Sequence, residues 1–502
     1  MTLLAIDLGT SAVKVLLTED NGRFLARASA EYPLLHPAPN QTEQNPEDWW
    51  AAIKTAVRHL TQQIDLIRHP IAAIGLSGQM HGTVLLDKNG GLLAHAIIWP
   101  DQRSQAQVQE ITETIGTKRL IGIAGSPVAT GFQAASLLWL RQNRPEVWSQ
   151  IGKVLLPKDY IRWRLTGQFG TDPSDASGTL LFDVTKRDWS DVQLNAVGIA
   201  REQLPDVVEE TAVSGPLLPQ AASELGLPSD IPVIVGAADT ACGLLGAGIV
   251  DAQTLLINLS TGGQIVIPAT TPKSDPLGRL HTFCSASPSA KWYQMAAMLS
   301  AGLTLRWLRD NLFGMGDDKN AYTKMTDRAA GVPAGANGLL CLPYLVGERT
   351  PHMNPEARGL FLGLTASHGR AELVRAVLEG VALACYDAVS VLQTVGAKPE
   401  KIVVAGGGSR SEVWCQIIAD VFNLPIQQLA VADQSALGAI LLAGSGNGRF
   451  DLATTAQQWA TYQPPIQPNP TNHATYQTLL PIFRAAYDKH KEDFSLLNQF
   501  NK

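Results

Sequence analysis

One short pattern occurs twice in this chain, and its two copies lie half a chain length apart. Residues 6–10 are Ile-Asp-Leu-Gly-Thr, residues 257–261 are Ile-Asn-Leu-Ser-Thr, and the offset is 251 residues in a chain of 502. Each copy lies between two short apolar segments of the kind that form buried strands. Because a single core seldom grows beyond about 250–300 residues, the repeat predicts one fold used twice, with a boundary near residue 250.

The order of later strand-end motifs supports this duplication. Four apolar segments, each a predicted strand, run directly into a polar or glycine-containing motif: 71–76, 232–235, 339–345 and 401–405. We match the motif at 346–350 with that at 79–82, and the motif at 406–409 with that at 235–239. Strands that alternate with helices predict an α/β architecture, in which ligands gather at the carboxyl ends of the strands.

Helix and connector signals are clear near both ends of the chain. Asn45 is a predicted N-cap, because Pro46 follows at the first helical position. Residues 462–470 contain four prolines and are expected to form an extended connector. A last helix is predicted to begin at Asn472 or at His473, with a kink at the proline inside it, residue 481.

Charge, hydropathy and cysteine spacing exclude several classes of protein. The formal charge of −6 comes without a basic patch, which disfavours nucleic-acid binding. The N-terminal residues lack the pattern of a signal peptide, and the sequence has no uncharged apolar run of about 18 residues. The five cysteines are widely spaced and show no metal-ligand pattern, so they are expected to be reduced. These features predict a cytoplasmic protein without membrane segments.

Two hydroxyl-bearing turns are candidate phosphate sites, one in each half. The first holds Thr10 and Ser11, and the second comprises Ser260, Thr261, Gly262 and Gly263. Tight turns present free backbone N–H groups, which suit phosphate oxygens. Either turn alone could be an ordinary hairpin, but two related turns are expected to face each other across an interdomain cleft.

Asp7 ends the first predicted strand and is the candidate ligand for Mg²⁺, which in phosphoryl-transfer sites usually takes one or two carboxylates. Its counterpart in the second half is Asn258, so only one half keeps the charge. The alternative is that Asp7 caps its own turn. Lys14 could neutralise a phosphate, although a solvated strand lysine is also consistent with its position.

Asp239 follows a fully apolar strand and lies among small residues. Partial desolvation would raise the pKa of this carboxyl group and make it a better base for a hydroxyl proton. The alternative is a helix N-cap, and both roles can coexist. Asp239 is therefore the candidate general base.

The glycine run Gly406, Gly407 and Gly408, followed by Ser409 and a helical pattern, predicts a strand, a turn and a helix N-terminus. This geometry can receive a phosphate or an adenine and ribose. It is not the dinucleotide-binding pattern, and the chain contains no P-loop motif.

Met80, His81 and Trp99 follow predicted strands in the first half. A histidine can bond sugar hydroxyls, and an indole face can cover the C–H surface of a sugar. Each residue alone is more often a core residue. Together, and near Asp239, they form a candidate wall for sugar recognition.

These motifs together resemble the FGGY carbohydrate kinases of the actin-like ATPase superfamily over essentially the whole chain. The most specific stretch is 359–364 with 372–379, which is similar to the C-terminal signature of the family. The resemblance implies two ribonuclease-H-like domains related by duplication, at 1–248 and 249–502, with the active site in the cleft between them. The connector and the last helix would belong to the second domain.

Within the family, four segments resemble the members that act on D-xylulose: 77–82, 156–160, 174–179 and 347–351. The resemblance implies ATP- and Mg²⁺-dependent phosphorylation of the 5-hydroxyl, with Asp239 as proton acceptor and Asp7 serving the metal and the phosphates. Met80 and His81 would line the sugar site, and the glycine run would hold the nucleotide. Ribulose, another ketose or a polyol such as glycerol remain alternative substrates, and a sugar-independent ATPase module is a more distant one. Association as a homodimer is left open.

Several positions depart from the family pattern. Ser136 stands where a lysine is usual, Gln133 replaces a small residue, and Ala237 and Ala238 precede the candidate base where glycines are common. Thr240 occupies a position where the family commonly has Asn. Because Asn and Thr offer different hydrogen bonds, Thr240 leaves the accepted hydroxyl stereochemistry open.

Overall fold

The computed structural model describes residues 1–430 and 433–500. Residues 431 and 432, and the last two residues of the predicted second domain, lie outside the described residues. The strands are β1 (Thr2–Leu8), β2 (Ala12–Glu19), β3 (Phe24–Glu31), β4 (Glu43–Gln44), β5 (Ile71–Gly78), β6 (Val84–Leu86), β7 (Ala96–Ile97), β8 (Lys153–Leu155), β9 (Phe182–Asp183), β10 (Asp188–Trp189), β11 (Val213–Pro216), β12 (Pro232–Ile234), β13 (Ala237–Ala238), β14 (Thr254–Leu259), β15 (Gly263–Ala269), β16 (His281–Cys284), β17 (Trp292–Met298), β18 (Leu340–Leu342), β19 (Leu360–Leu362), β20 (Lys401–Ala405) and β21 (Ile426–Gln428).

The helices are α1 (Pro46–Thr61), α2 (Gln105–Ile115), α3 (Thr117–Ala124), α4 (Gln133–Asn143), α5 (Pro145–Trp148), α6 (Pro157–Thr166), α7 (Pro173–Ala176), α8 (Asp191–Val197), α9 (Pro219–Leu225), α10 (Asp239–Gly246), α11 (Gly302–Trp307), α12 (Ala321–Ala330), α13 (Arg370–Thr394), α14 (Glu412–Phe422), α15 (Gln434–Gly446), α16 (Leu452–Trp459) and α17 (Pro470–Asn498).

The first half is built on a sheet with the strand order β11-β12-β5-β1-β2-β3, and β13 also pairs with β5. Strands β1, β2 and β3 form an antiparallel meander, whereas β5 and β12 run parallel to β1. All seven residues of β1 are buried, which explains its nearly continuous apolar sequence. This arrangement brings the ends of β1, β5 and β13 to one edge.

The second half repeats the arrangement in a sheet with the order β16-β17-β15-β14-β20-β21. Here β14, β15 and β17 form the antiparallel part, and β20 and β21 run parallel to β14. The shared order confirms the predicted duplication of an α/β fold.

The sheet order corrects our matching of the later motifs. Strand β20, which leads into Gly406, lies beside β14 as β5 lies beside β1, so the glycine run matches the end of β5 rather than residues 235–239. Strand β18 pairs with β19 in a separate two-stranded sheet. The segment at 346–350 therefore has no counterpart at 79–82, and the predicted match was wrong.

Helices α10 and α15 follow corresponding strands, β12–β13 and β21, and they pack directly against each other. A Cβ on Gly246 would lie 2.0 Å from the carbonyl oxygen of Gln434, and one on Gly438 would lie 2.0 Å from that of Cys242. Glycine is required at both positions because the two backbones touch. Residues of α15 share a core with residues of β1, so the C-terminal part of the chain crosses onto the first sheet.

Some predicted boundaries differ from the structure. Strand β1 continues through Leu8, one residue beyond its predicted end at Asp7. The last helix begins at Pro470 with Asn469 as its cap, which is earlier than predicted, because the Asn469 side chain accepts from two backbone N–H groups of the first turn. Pro481 lies within this helix. The predicted start of α1, with Asn45 as cap, is confirmed.

Helix α13 is long and apolar enough to cross a membrane by length and composition, but 83% of its most apolar window is buried inside the protein. It packs in the core of the second half. The five cysteines are free and buried.

Candidate active site

Asp7 lies near the carboxyl end of β1 and is only 6% exposed. Burial raises the pKa of its carboxyl group, while the nearby Ser77 hydroxyl and the positive charge of Lys14 lower it. Its Oδ1 atom is buried and has no hydrogen-bond partner among the described residues. A buried carboxylate oxygen without a partner is costly unless a ligand completes it. Asp7 therefore does not cap its own turn with this oxygen.

Asp239 is the first residue of α10 and is partly exposed. Burial, and next the negative charge of Asp7, raise the pKa of Asp239 to about 6. The effect of the Asp7 charge on Asp239 places the two carboxylates close together at one edge of the sheet. The N-cap position belongs to Ala238, so the alternative role of Asp239 as N-cap is wrong.

Neighbouring residues hold the backbone of Asp239 in place. Its carbonyl oxygen accepts from Ser435 Oγ at 3.0 Å, and its Oδ1 accepts from Thr240 Oγ1 at 3.2 Å. The N–H of Ala238 donates to Ser174 Oγ at 3.0 Å. The start of α10 is thus fixed by contacts from both halves of the chain.

His81 lies three residues after the end of β5, has a positive φ of 72° and stacks on Phe132, with ring centroids 3.8 Å apart. Its Nδ1 is 2.6 Å from the carbonyl oxygen of Gly178. Burial lowers the pKa of His81 to about 4, so the imidazole is neutral at pH 7. A neutral imidazole whose Nδ1 donates to this carbonyl leaves Nε2 as an acceptor.

The second half contributes residues that the sequence did not single out. Tyr293 Oη lies 3.7 Å from Met80 Sδ, and burial followed by the charge of Asp239 raises the pKa of this phenol. His281 is 8% exposed and stacks on Phe283, with centroids 5.5 Å apart. These side chains lie on the edge strand β16 and on its neighbour β17, which bring them against the candidate sugar-binding residues.

Arg349 also faces this side of the cleft. Its positive charge contributes to the lowered pKa values of both His81 and His281. The preceding residue, Glu348, is buried and accepts from the N–H groups of Leu299 and Arg349 at 2.8 and 2.7 Å. The motif at 346–350 therefore positions a cation near His81.

The first turn is tied to the rest of the site through Trp99, whose Nε1 donates to Thr10 Oγ1 at 2.9 Å. The indole is 48% exposed. Trp99 thus supports the turn that holds Thr10 and Ser11, and half of its surface remains open to a ligand.

In the second half, Ser260 Oγ donates to the carbonyl oxygen of Gly262 at 3.0 Å, which closes the turn. Gly406 has φ of 82°, and a Cβ there would lie 2.4 Å from Asn258 Oδ1. Around Gly407, by contrast, a Cβ would meet nothing within 4 Å. The structure therefore brings the glycine run and the second turn together beside Asn258.

Lys14 lies opposite Asp7 in the pairing of β1 with β2. Its Nζ is 2.8 Å from Asp433 Oδ1, and the side chain is about half exposed. In this conformation the lysine forms an ion pair across the two halves of the chain.

A group of charged side chains lies buried beneath Asp239. Lys158 Nζ is 2.7 Å from Asp159 Oδ1, 2.9 Å from Asp172 Oδ1 and 3.6 Å from Asp175 Oδ2. All four side chains are at most 1% exposed. Their motifs stand out in the sequence only through the family resemblance, because the three acids are brought together by tertiary folding. The available sequence signal for this buried charged group was Lys158, a lysine in a segment that otherwise favours burial.

Comparison with known proteins shows which family has this sequence and fold. Residues 2–246 match the N-terminal domain of the FGGY family of carbohydrate kinases, and residues 255–446 match its C-terminal domain. The chain is 39% identical to the xylulose kinase of Escherichia coli K12, over 95% of this chain and 99% of that one.

Solved structures are similar over the full length. The ligand-bound xylulose kinase of Lactobacillus acidophilus has a TM-score of 0.91 at 32% identity, covering 99% of both chains. The gluconate kinase of the same organism has a TM-score of 0.92 at 32% identity, also covering 99% of both.

The duplicated sheets and the carboxylates in their cleft define a sugar kinase with an actin-like ATPase fold. More specifically, the chain belongs to the FGGY family of carbohydrate kinases, as the two domain matches over most of its length show. ATP is the cosubstrate that this class of enzyme uses.

Proposed function

We propose that this protein transfers the γ-phosphoryl group of ATP to the 5-hydroxyl of D-xylulose. The observation that carries the proposal is the pair of carboxylates at one sheet edge: Asp239, partly exposed with a pKa raised to about 6, beside the buried Asp7. The relatives named xylulose kinase support the choice of sugar.

Asp239 would act as the general base. Because its pKa lies near 6, the group is mostly ionised at pH 7 yet basic enough to take the proton of a sugar hydroxyl. Its place at the start of α10, held by Ser435 and Thr240, points the carboxylate at a defined position. Positioning of this kind supplies much of the catalysis in phosphoryl transfer.

Asp7 fits a Mg²⁺ ion, since its buried Oδ1 lacks a hydrogen-bond partner among the described residues and a carboxylate oxygen is the donor that Mg²⁺ prefers. When bound with ATP, Mg²⁺ would neutralise charge on the phosphoryl oxygens. Asp7 would hold the ion and keep its charge close to the reacting groups.

The nucleotide would lie against the second half. The open surface at Gly407 leaves room for a ligand on the backbone, and Gly406, Gly408 and Ser409 shape the same loop. The hydroxyls and N–H groups of the two turns, at Thr10 and Ser11 and at 260–263, would receive phosphate oxygens. Lys14 would join them after leaving Asp433.

The sugar would lie between the halves. Met80 and His81 from the first half, together with Thr240 and the exposed face of Trp99, would contact the ketose. The neutral His81 can accept a hydroxyl hydrogen bond through Nε2 while Gly178 holds its other nitrogen.

Gluconate is a second candidate acceptor, because the gluconate kinase of Lactobacillus acidophilus is as similar in fold as the xylulose kinase. Arg349 supplies a cation near His81 that a carboxylate could use. We favour xylulose because the curated relatives at 33–40% identity over most of this chain are named for it.

A coupled assay of ADP formation with D-xylulose, D-ribulose, glycerol and D-gluconate tests the choice. The expected result is the highest kcat/KM on D-xylulose, with Mg²⁺ required. The Asp239→Asn variant is the matched control, since it separates sugar-dependent turnover from background hydrolysis of ATP. Higher kcat/KM on gluconate or ribulose would replace the proposed substrate, and ADP formation indifferent to every sugar would point to an ATPase module.

We further propose that the enzyme works in the cytoplasm, where ATP is available, and that its domains extend over 1–248 and 249–502. The free, buried cysteines are consistent with a reducing compartment. Limited proteolysis tests the boundary, and sedimentation equilibrium tests whether two copies associate as a homodimer.

A further inference from the structure

Residues 172–178, here called the platform, contact three separate parts of the candidate site. Ser174 Oγ accepts from the N–H of Ala238, next to the candidate base. The carbonyl oxygen of Gly178 lies 2.6 Å from His81 Nδ1. Ser177 Oγ accepts from the N–H of Cys284 in the second half at 3.0 Å. One short segment thus links the base, the sugar-binding histidine and the opposite wall of the cleft.

The platform is anchored from below by Lys158. Its ammonium lies 2.9 Å from Asp172 and 3.6 Å from Asp175, both within the platform, and 2.7 Å from Asp159. Asp172 in turn accepts from the N–H and the hydroxyl of Ser174. A chain of polar contacts therefore runs from Lys158 through Asp172 and Ser174 to Ala238 of β13, the residue before Asp239.

The charges in this cluster depend on one another. The three acidic side chains lie within 4.8 Å of one another, and the cations beside them are Lys158 and Arg162, which is 3.3 Å from Asp159. Lys158 already occupies the position where a metal ion would sit among the acids. A buried charge network of this kind is weak evidence for stability, but it can hold a unique geometry.

We propose that Lys158 and Ser174 are positioning residues, which hold the platform so that Asp239 and His81 face one sugar together. This inference rests on the proposed phosphoryl transfer to a sugar and assigns a role to two residues that touch neither substrate. Loss of the Ser174 hydroxyl would leave the N–H of Ala238 without its partner. The adjoining Asp239 would then be held less firmly in its position. The effect would fall on turnover, since neither the platform nor Lys158 belongs to the turns and the glycine run proposed to hold the nucleotide.

The first test compares Ser174→Ala with Thr179→Ala. Thr179 carries a buried hydroxyl one residue beyond the platform, where it donates to the carbonyl oxygen of Ala176 and accepts from the N–H of Leu181. Both variants remove a buried hydroxyl, so both are expected to lower Tm. Ser174→Ala should also lower kcat about tenfold with KM for ATP unchanged, whereas Thr179→Ala should keep the wild-type kcat.

The second test addresses the anchor. Because Lys158→Met alone leaves three buried acids facing Arg162, it is paired with Asp159→Asn, which restores the net charge without altering the platform. The folded double variant is expected to lose at least about tenfold in kcat at an unchanged KM for ATP. Asp159→Asn alone is the control for the neutralised acid.

The outcomes distinguish a failure of the proposed substrate from a failure of the proposed positioning role. If the wild-type protein does not phosphorylate D-xylulose, the proposed substrate fails, and the comparison is repeated with whichever sugar it does phosphorylate. If the wild type is active but Ser174→Ala loses no more kcat than Thr179→Ala, the positioning role is overturned. Wild-type kcat in the folded Lys158→Met/Asp159→Asn variant would likewise overturn the role of the anchor.

Discussion

Strands β1 and β14 hold the same place in their sheets, but their charged groups differ. In the first half Asp7 lies opposite Lys14 on the neighbouring strand, whereas in the second half Asn258 lies opposite Gln264. A pair of charges in one copy is a pair of amides in the other. The Asp7 carboxylate keeps an oxygen without a partner, while the Asn258 amide packs against the loop at Gly406.

The helices that follow the corresponding strands β12–β13 and β21 show the same difference. Helix α10 begins at Asp239, and α15, its counterpart, begins at Gln434. Both carboxylates proposed for the reaction therefore belong to the first copy. The comparison teaches that duplication preserved the strand order and the turns, while the two carboxylates proposed for metal binding and acid–base chemistry occur in the first copy.

The largest expected effect is loss of the base that has no counterpart. Asp239→Asn should lower kcat about 10³-fold, because general-base catalysis contributes on that scale. Its affinity for ATP, measured by isothermal titration, should stay unchanged, since Asp239 is not among the residues proposed to contact the nucleotide. Turnover within tenfold of the wild type would remove Asp239 from the role of base.

The same substitution should change the pH dependence of stability. The folded protein holds Asp239 at a pKa of about 6 against an ordinary value of 3.8, so stability is lost as pH rises through 6. Without metal or ligands, Asp239→Asn should therefore be more stable than the wild type at pH 8, by up to about 3 kcal/mol, with the difference falling below about 1 kcal/mol near pH 4. Urea unfolding at both pH values measures this. Equal stability at pH 8 would contradict the raised pKa.

A substitution in the second half should act on the nucleotide alone. Gly406→Ala places a Cβ 2.4 Å from Asn258 Oδ1, and overpacking of this kind costs about 1–3 kcal/mol. We expect KM for ATP to rise about tenfold and KM for the sugar to stay constant. Gly448→Ala is the matched control, because Gly448 also has a positive φ but has open space around it. An equal rise in KM for both substrates would contradict the assignment of the Gly406 loop to the nucleotide alone.

The smallest expected effect concerns the lysine of the charged pair. Lys14→Gln places the residue type of the second half in the first, and it removes a half-exposed ion pair with Asp433. Such pairs contribute little, so thermal stability should change by less than about 1 kcal/mol. Differential scanning calorimetry measures this change, and a much larger loss would show that the pair holds the two halves together.

Much of this arrangement could be predicted from local sequence. The repeat at Asp7 and Asn258, the turns after both strands and the start of α1 follow from spacing and turn chemistry, and the structure places them as predicted apart from small boundary shifts. The match assigned to residues 346–350 was wrong because the order of motifs along a chain does not say which strands are neighbours in a sheet.

The residues that join the candidate site only through tertiary packing could not be predicted from the sequence. Lys158 reaches Asp172 and Asp175 only because α6 and the platform are folded together, and neither hydrophobic period nor turn signals encode that contact. Tyr293 reaches Met80 only because strand β17 of the second sheet packs on the first half. Local sequence says least about a site built between two domains, because its residues meet only through tertiary packing.

The non-equivalence of the two halves is tested most directly by exchanging their residues. The measurement is the Mg²⁺ concentration that gives half-maximal turnover in the wild type, in Asp7→Asn and in Asp7→Asn/Asn258→Asp. We predict at least a tenfold higher requirement in both variants, because a carboxylate beside Gly406 cannot replace one beside Asp239. Recovery of the wild-type Mg²⁺ requirement in the exchanged variant would show that the halves are interchangeable and would contradict this account.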